Sequence, residues 1–482
     1  MTDEPLSSST PRSWSWVAKA GLIFLTGCVV LCSGITGWYV VSRGKHQARL
    51  NAVLERIRAA GDPLTGDELD AYYVVPADEV DLTADYVAAL RMFENVKLFG
   101  PATVLPIVDS GEAPKPDQPW ETRAEAEAYL QSVQPQLDAL RTLATRRGRV
   151  RYPVKLSEGF AAQLSDLQLA RVIANKLLLS FYVNLHRSDR EEALSSLRAI
   201  VRLSETFRDE PLTASQLVRI SFLETGADAA EDFLHAGRPS AAELALLRDI
   251  FADVNLQPAF GRAMRGELSS TYIAMSSGDV TAEQLSPGAD SFPLNLTLKT
   301  LSKLRPGDAA TLLEMQAHVI AIAERPLPEA IRGMDQIRLE LKQINVEQQN
   351  DFSWDRNLLP QLLIPIIGPI SQAFGRGQAR RDAILSATAV ESFKVQRGSL
   401  PETLDELAPA FLDEIPVDPF TGYPLRYVVD ERGFSIYSLG PDRVDQGGDL
   451  TATLGQPKDL GVRIEPSIST HDSSTFSDSI HP

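Results

Sequence analysis

Cysteine is nearly absent: the 482 residues hold two, Cys28 and Cys32, and both lie in one apolar run. The remainder of the chain has no thiol, which excludes a disulfide framework and cysteine-liganded zinc there and leaves the redox compartment open. Positive charge is also in short supply. There are 47 Lys and Arg against 64 Asp and Glu, a formal net charge of -17. Nucleic acid is excluded as a partner, because phosphate binding needs a basic face. The sequence has no coiled-coil, collagen-like or solenoid period. Its six histidines (His46, His186, His235, His318, His471 and His481) are scattered. There is no H-E-x-x-H, G-x-S-x-G or P-loop. Enzymes that announce themselves by a local motif are thereby excluded. A triad assembled from distant residues stays open.

What is present begins with Val17 to Val41, an apolar run whose only charge is Lys19. A stretch of this length crosses a bilayer as one helix. Trp14, Trp16, Trp38 and Tyr39 flank it as interfacial aromatics do. No A-x-A cleavage site follows. Leu25-Thr26-Gly27-Cys28 is similar to a bacterial lipobox, but the residues after Cys28 stay apolar, so the run reads as an uncleaved anchor. Arg43, Lys45 and Arg49 after the span place the body in the cytoplasm by the positive-inside rule, a weak preference against Arg12 and Lys19 on the other side.

Beyond the anchor, helix is expected to about Ala60, where Gly61-Asp62-Pro63 ends it. Thr65 to Glu68 reads as a capping box. Residues 100–119, rich in Pro, Asp and Gly, read as a loop or linker. From 121 to about 275 the signal is helical. Phe160, Leu164, Leu167, Ala170, Ala174, Leu178, Phe181 and Leu185 recur at helical spacing. Ser188 to Glu191, Thr213 to Gln216 and Ser240 to Glu243 carry further start signals. Caps followed by amphipathic runs describe an antiparallel bundle. Acidic pairs such as Glu191-Glu192, and Glu205 to Asp209, read as solvated helix faces. A break covers 276–307. Helices resume near 309–325 and 327–350, and the Pro-interrupted run Leu358 to Phe374 reads as a buried core helix.

The C-terminal part changes character. A helix stops at Gly398, and Ser399-Leu-Pro-Glu402 caps a short helix holding Leu404, Leu407 and Phe411. Ile415 to Pro419 is extended and Phe420 to Pro424 a turn. Leu425 to Val429 and Phe434 to Leu439 form a β-hairpin, with Gly433 free to take a positive φ. A lone hairpin is marginal in water, so it must pack on the preceding helix. The tail from about residue 450 is rich in Ser, Thr, Asp and Pro and reads as disordered.

The order RGSLPETLDEL, FLDEIPVDPFTGYPLRY, GFSIYSLGPD and QGGD resembles the C-terminal half of the type II secretion major pseudopilin, over roughly 70 residues. That resemblance implies a helix packed on a small antiparallel sheet, an extracytoplasmic location and a calcium loop. It would carry Ca²⁺ binding to Asp442, Asp445 and Asp449, assisted by a carbonyl near Leu439. Ca²⁺ takes six to eight oxygens in flexible geometry, which Gly440, Gly447 and Gly448 suit; an ordinary acidic turn is the alternative. The N-terminal part departs from that family, with no short basic leader and no Phe-x-x-x-Glu start, so entry into a pilus is not implied. Over its whole length the chain resembles uncharacterised membrane-anchored helical bacterial proteins that carry this module.

The expected fold is mainly α. It comprises an N-terminal tail (1–16), a transmembrane anchor (17–41), a helical stalk and linker (42–119), an antiparallel helical domain (120–375), an α+β module with a β-hairpin (376–449) and a disordered tail (450–482). The expected function is that of a structural or interaction protein of the cell envelope. It would sit single-pass in the inner membrane, with its bulk outside and protein partners in the envelope. The alternatives are a helical domain that binds a small ligand or peptide, and an unrecognised hydrolase.

Overall fold

The computed structural model describes residues 16–94, 105–107, 114–115, 118–276, 298–348, 364–453, 456–457 and 459–465. Trp14, most of the expected 100–119 linker, most of the 276–307 break, residues 358–363 and the chain beyond 465 lie outside them. The fold is mainly helical, with a small antiparallel sheet at its C-terminal end.

The helices in order are α1 (Trp16–Ala59), α2 (Gly66–Tyr72), α3 (Thr83–Arg91), α4 (Arg123–Ser132), α5 (Gln134–Ala144), α6 (Ser165–His186) and α7 (Arg190–Glu205). They continue as α8 (Thr213–His235), α9 (Ala241–Ala252), α10 (Gln257–Ser276), α11 (Leu298–Leu304), α12 (Pro306–Ala323), α13 (Leu327–Gln348) and α14 (Ile364–Arg397).

Helix α1 runs 44 residues without a break, and its surroundings change along its length. Ile23, Phe24, Leu25, Val29, Val30, Leu31, Trp38, Val40 and Val41 are exposed, although all are large and apolar. Val53 and Ile57, within the last two turns, are buried in the core, with Leu50 and Leu54 against it. Among the described residues this is the one helix long and apolar enough to cross a membrane. Its second half lies on α12. Arg49 and Arg56 both reach Glu314, the latter at 2.8 Å, and the Arg43 guanidinium donates to the Lys303 carbonyl at 3.2 Å. Gly61, at φ +83°, ends the run as expected.

Two cores share the helical body. One, from Leu69 to Phe222, is built on Tyr73, Tyr86, Tyr152 and Phe207. The other joins α1, α8 to α10, α12 to α14 and the C-terminal sheet. Helices α6 and α7 contribute to both, which is why they are buried over so much of their circumference.

The capping boxes at Thr65/Glu68 and Ser240/Glu243 form as expected. Others differ. Asp189, not Ser188, caps α7, accepting from the Glu192 N–H at 3.2 Å. Thr213 does not cap α8, whose N-cap residue is Leu212; the Gln216 amide instead donates to the Phe207 and Glu210 carbonyls, each at 2.8 Å. Phe160 lies in a 3₁₀ turn before α6, partly exposed, and the buried stripe begins at Leu167.

Helix α14 carries Ile367, Ile370, Ala373 and Phe374 in the core, as a buried helix requires. It also runs unbroken past residue 376, so one helix serves both the body and the C-terminal module. Strand β1 (Arg426–Asp430) pairs antiparallel with β2 (Gly433–Ser438), with Tyr427 opposite Ile436. The stretch expected to be a disordered tail adds strands. A short ladder joins β3 (Ala452–Thr453) to β4 (Gln456–Pro457). Strand β5 (Leu460–Ile464) then pairs with β2, giving the order β1-β2-β5. Its Leu460, Val462 and Ile464 enter the core, which repays the ordering of a polar stretch.

The sheet docks on both α14 and α8. The Arg463 carbonyl is 2.7 Å from His235 Nε2, and the Arg463 N–H donates to Glu231 at 3.0 Å. Arg380 on α14 links the Gly461 carbonyl with Asp228 and Glu231.

Candidate functional site

The motifs that set the C-terminal module apart converge on Asp418. Its carboxylate is buried and accepts from the Phe420 N–H at 2.8 Å, the Thr421 hydroxyl at 3.0 Å, the Ser438 hydroxyl at 2.7 Å and the Leu439 N–H at 3.1 Å. The Ser438 oxygen in turn accepts from the Gly440 N–H. The Val-Asp-Pro loop and the Tyr-Ser-Leu-Gly strand end are thus held by one carboxylate, whose charge several donors stabilise out of water. The sequence signal was an acid between two proline-bounded segments, in a motif already noted but given no role.

The three aspartates expected to bind calcium lie close in sequence and serve separate turns. Asp442 accepts from the Val444 N–H at 3.0 Å and the Gln446 amide at 2.9 Å. Asp445 accepts from the Tyr437 hydroxyl and the Gly447 N–H, and pairs loosely with Arg426 at 3.6 Å. Asp449 accepts from the Thr451 N–H at 3.1 Å. Among the described residues no three His, Cys, Asp or Glu side chains stand close enough to hold a metal ion. The loop is organised around a fourth carboxylate, Asp459, which accepts from the N–H groups of Gln446 and Gly448 at 3.2 and 2.8 Å. Asp459 is fully buried and its Oδ1 has no partner among the described residues. Burial pushes its pKa up, the nearby Asp445 and Asp442 adding to the effect. It lies in the stretch read as a tail, where no local signal marked it.

A second polar group is enclosed in the body. Glu210, 1% exposed, accepts from the Ser215 hydroxyl. Burial pushes its pKa up to about 7, with Asp166 contributing. Around it, the Tyr73 hydroxyl accepts from the Tyr152 N–H at 3.0 Å, and the Tyr152 hydroxyl meets Thr206 at 2.9 Å. A serine against a glutamate invites comparison with a hydrolase. Here, however, the serine donates to a carboxyl sealed from solvent, and no general base of that kind could meet a substrate. His186 stacks edge-on with Trp120 and His235 holds β5, both structural uses. The acids read as solvated are also engaged. Glu205 is bound at 2.8 Å by the fully buried Arg219, and Asp209 lies between Arg149 and Arg262.

Comparison with family models, curated proteins and solved structures finds no match for this chain.

Proposed function

We propose that this chain is a structural or interaction protein of the bacterial cell envelope, held single-pass in the inner membrane with its body on the outer side. The observation that carries the reading is α1. Its first part is apolar and uncovered, its last turns put Val53 and Ile57 into the core, and no loop separates them. A body joined this way is held at a fixed angle to a bilayer, as suits a scaffold better than a tethered enzyme. The pseudopilin-like module, with its P-x-DP loop tied to its Y-S-x-G strand end through Asp418, supports a secretion-associated partner. The calcium role at Asp442, Asp445 and Asp449 would require these side chains to leave their separate turns and converge on the ion, and a melting curve raised by calcium and returned by chelator tests it.

The deciding experiment is protease access in intact and opened cells. The expected result is digestion of the body once the outer barrier is opened and before the inner membrane is lysed. Digestion only after inner-membrane lysis places the body in the cytoplasm and removes the envelope reading.

A second reading, a helical body that binds a peptide, is favoured by a cleft of about 750 Å³ between the body and the module. Phe411, Pro416, Val417 and Pro419 of the module line it together with Leu327, Pro328, Asn255 and Gln257 of the body. Its size falls in the range of ligand sites.

A further inference from the structure

A pocket of about 320 Å³ opens where the loop after α5 meets the end of α7. Its lining is unusual for so acidic a chain. Arg146, Arg147, Arg149, Arg202 and Arg208 are set against three carboxylates, those of Glu79, Glu205 and Asp253, an excess of two positive charges.

The carboxylates near it are largely claimed by other guanidiniums. Glu205 takes Arg219 at 2.8 Å, Asp253 takes Arg147 at 2.6 Å, and Glu79 takes Arg149 at 2.9 Å. Just beyond the lining, Asp209 is shared by Arg149 and Arg262 at 3.3 and 3.1 Å, and Arg146 pairs with Asp85. Arg202 and Arg208 are left over. Both side chains are largely buried, at 13% and 23% exposure. Arg202 reaches only Asp253, at 3.6 Å; Arg208 reaches Glu205 at 3.8 Å and Asp209 at 4.0 Å. Those separations are too long for hydrogen bonds. The Nε of each is buried without a partner among the described residues.

A guanidinium carries five donors in a planar fork, and burying it with those donors unmet is unfavourable. Two such forks beside one pocket, each with unmet donors, suit a ligand that brings negative charge and several oxygens to one point. We propose that this pocket binds a phosphate or phosphoryl group. A phosphate brings up to two negative charges and three or more oxygens, so it can meet two forks with paired hydrogen bonds, whereas a carboxylate brings one charge and two oxygens. Arg146 and Arg147, half exposed at the mouth, make a local positive region that draws an anion across an acidic surface. The site is independent of the envelope reading.

The rival is purely structural: Arg202, in the last turn of α7, would only offset the helix carbonyls and the surrounding acids. The test is thermal melting of the detergent-purified full chain, titrated with inorganic phosphate at constant ionic strength against acetate. The expected result is an upward shift that saturates with phosphate and is absent with acetate, as follows when a ligand binds only the folded state. Arg208→Gln should abolish the shift, and Arg202→Lys, which keeps the charge and loses the fork, should reduce it. Arg248→Gln, a substitution outside the pocket, should leave it intact. Glycerol phosphate in the same assay separates the sources. Saturation at lower concentration than inorganic phosphate assigns a phosphomonoester or lipid headgroup; equal or weaker binding assigns free phosphate. Identical melting in phosphate and acetate overturns the proposal. So does a full shift retained in both Arg208→Gln and Arg202→Lys.

Discussion

The Ser438 hydroxyl donates to the Asp418 carboxylate at 2.7 Å, joining the last residue of β2 to a loop twenty residues earlier. The contact closes the module, because the same carboxylate also holds the N–H groups of Phe420 and Leu439. Removing it strands several buried donors at once, whereas removing the serine strands little. Asp418→Ala should therefore lower stability by about 3 kcal/mol and Ser438→Ala by about 1 kcal/mol. Chemical denaturation of the purified chain measures both. Equal effects would show that the carboxylate does not organise the loop.

Gly375 on α14 sets how closely the module approaches the body. A Cβ built there would lie 2.5 Å from the Phe420 ring and 2.9 Å from Ile331. Both neighbours are buried and packed. Gly375→Ala should destabilise by roughly 1–3 kcal/mol through overpacking, and Phe420→Ala by roughly 3–5 kcal/mol through the cavity it leaves. The two should not add in the double variant, because a truncated ring gives the new methyl room. Additive losses would place the two residues in separate environments.

The sequence made some of this legible, and the physics explains which parts. The long apolar N-terminal helix, the helical body and the hairpin showed because their signals are local: an apolar run, a period, a turn glycine. The Thr65 and Ser240 caps showed because nothing competes for those side chains. At α8 a tertiary demand won, the Gln216 amide being taken by carbonyls of the preceding loop. Short-range reading likewise put the Ser399 start signal four residues early: the Glu406 carboxylate receives the N–H groups of Glu402 and Thr403. Strand β5 was invisible because its pairing is non-local and because Gly461 mimics a loop residue. A Cβ at Gly461 would meet the Ile436 carbonyl at 2.1 Å, so the strand needs glycine for close approach. Asp459 and Glu210 were missed for the same reason. Burial, not residue type, distinguishes them from surface acids, and burial is a property of the fold.

The difference between the uncovered part of α1 and its last turns, which enter the core, gives a prediction about where that helix contributes. Ile57→Ala should lower the stability of the body by roughly 2–4 kcal/mol, since Ile57 is buried with Val53. Val29→Ala and Val30→Ala, on exposed positions, should leave it unchanged. A chain begun at residue 42 should partition into the aqueous phase with the same melting temperature. One begun at residue 62 should melt lower, having lost Leu50, Val53, Leu54 and Ile57 from the core. Detergent phase partitioning and calorimetry read the two properties separately. A residue-42 chain that stays with the membrane would mean that another segment anchors the protein.

Glu210 makes stability depend on pH with a definite sign. Its ordinary pKa is 4.5, and burial raises it to about 7 in the folded chain. Below 4.5 the carboxyl is protonated whether the chain is folded or not, and pH has no effect through this group. Between 4.5 and 7 the unfolded chain releases the proton while the folded chain keeps it, so stability falls as pH rises. Above 7 the loss is complete, amounting to at most ~3 kcal/mol for a shift of this size. Ser215 donates to the carboxylate, and Arg151 lies near enough to favour the charge; both limit the loss, while Asp166 enlarges it. Glu210→Gln, which mimics the protonated acid, should match the parent chain at pH 4.5 and exceed its stability at pH 8. Other carboxyls whose pKa is raised by desolvation, the half-buried Asp166, Asp232, Glu224 and Glu267 and the buried Asp382, impose the same sign on the background. The informative quantity is therefore the difference between the two proteins across the pH range, measured by urea denaturation. A constant difference would mean that Glu210 is charged in the folded chain throughout, and that its hydroxyl neighbours are sufficient to hold it so.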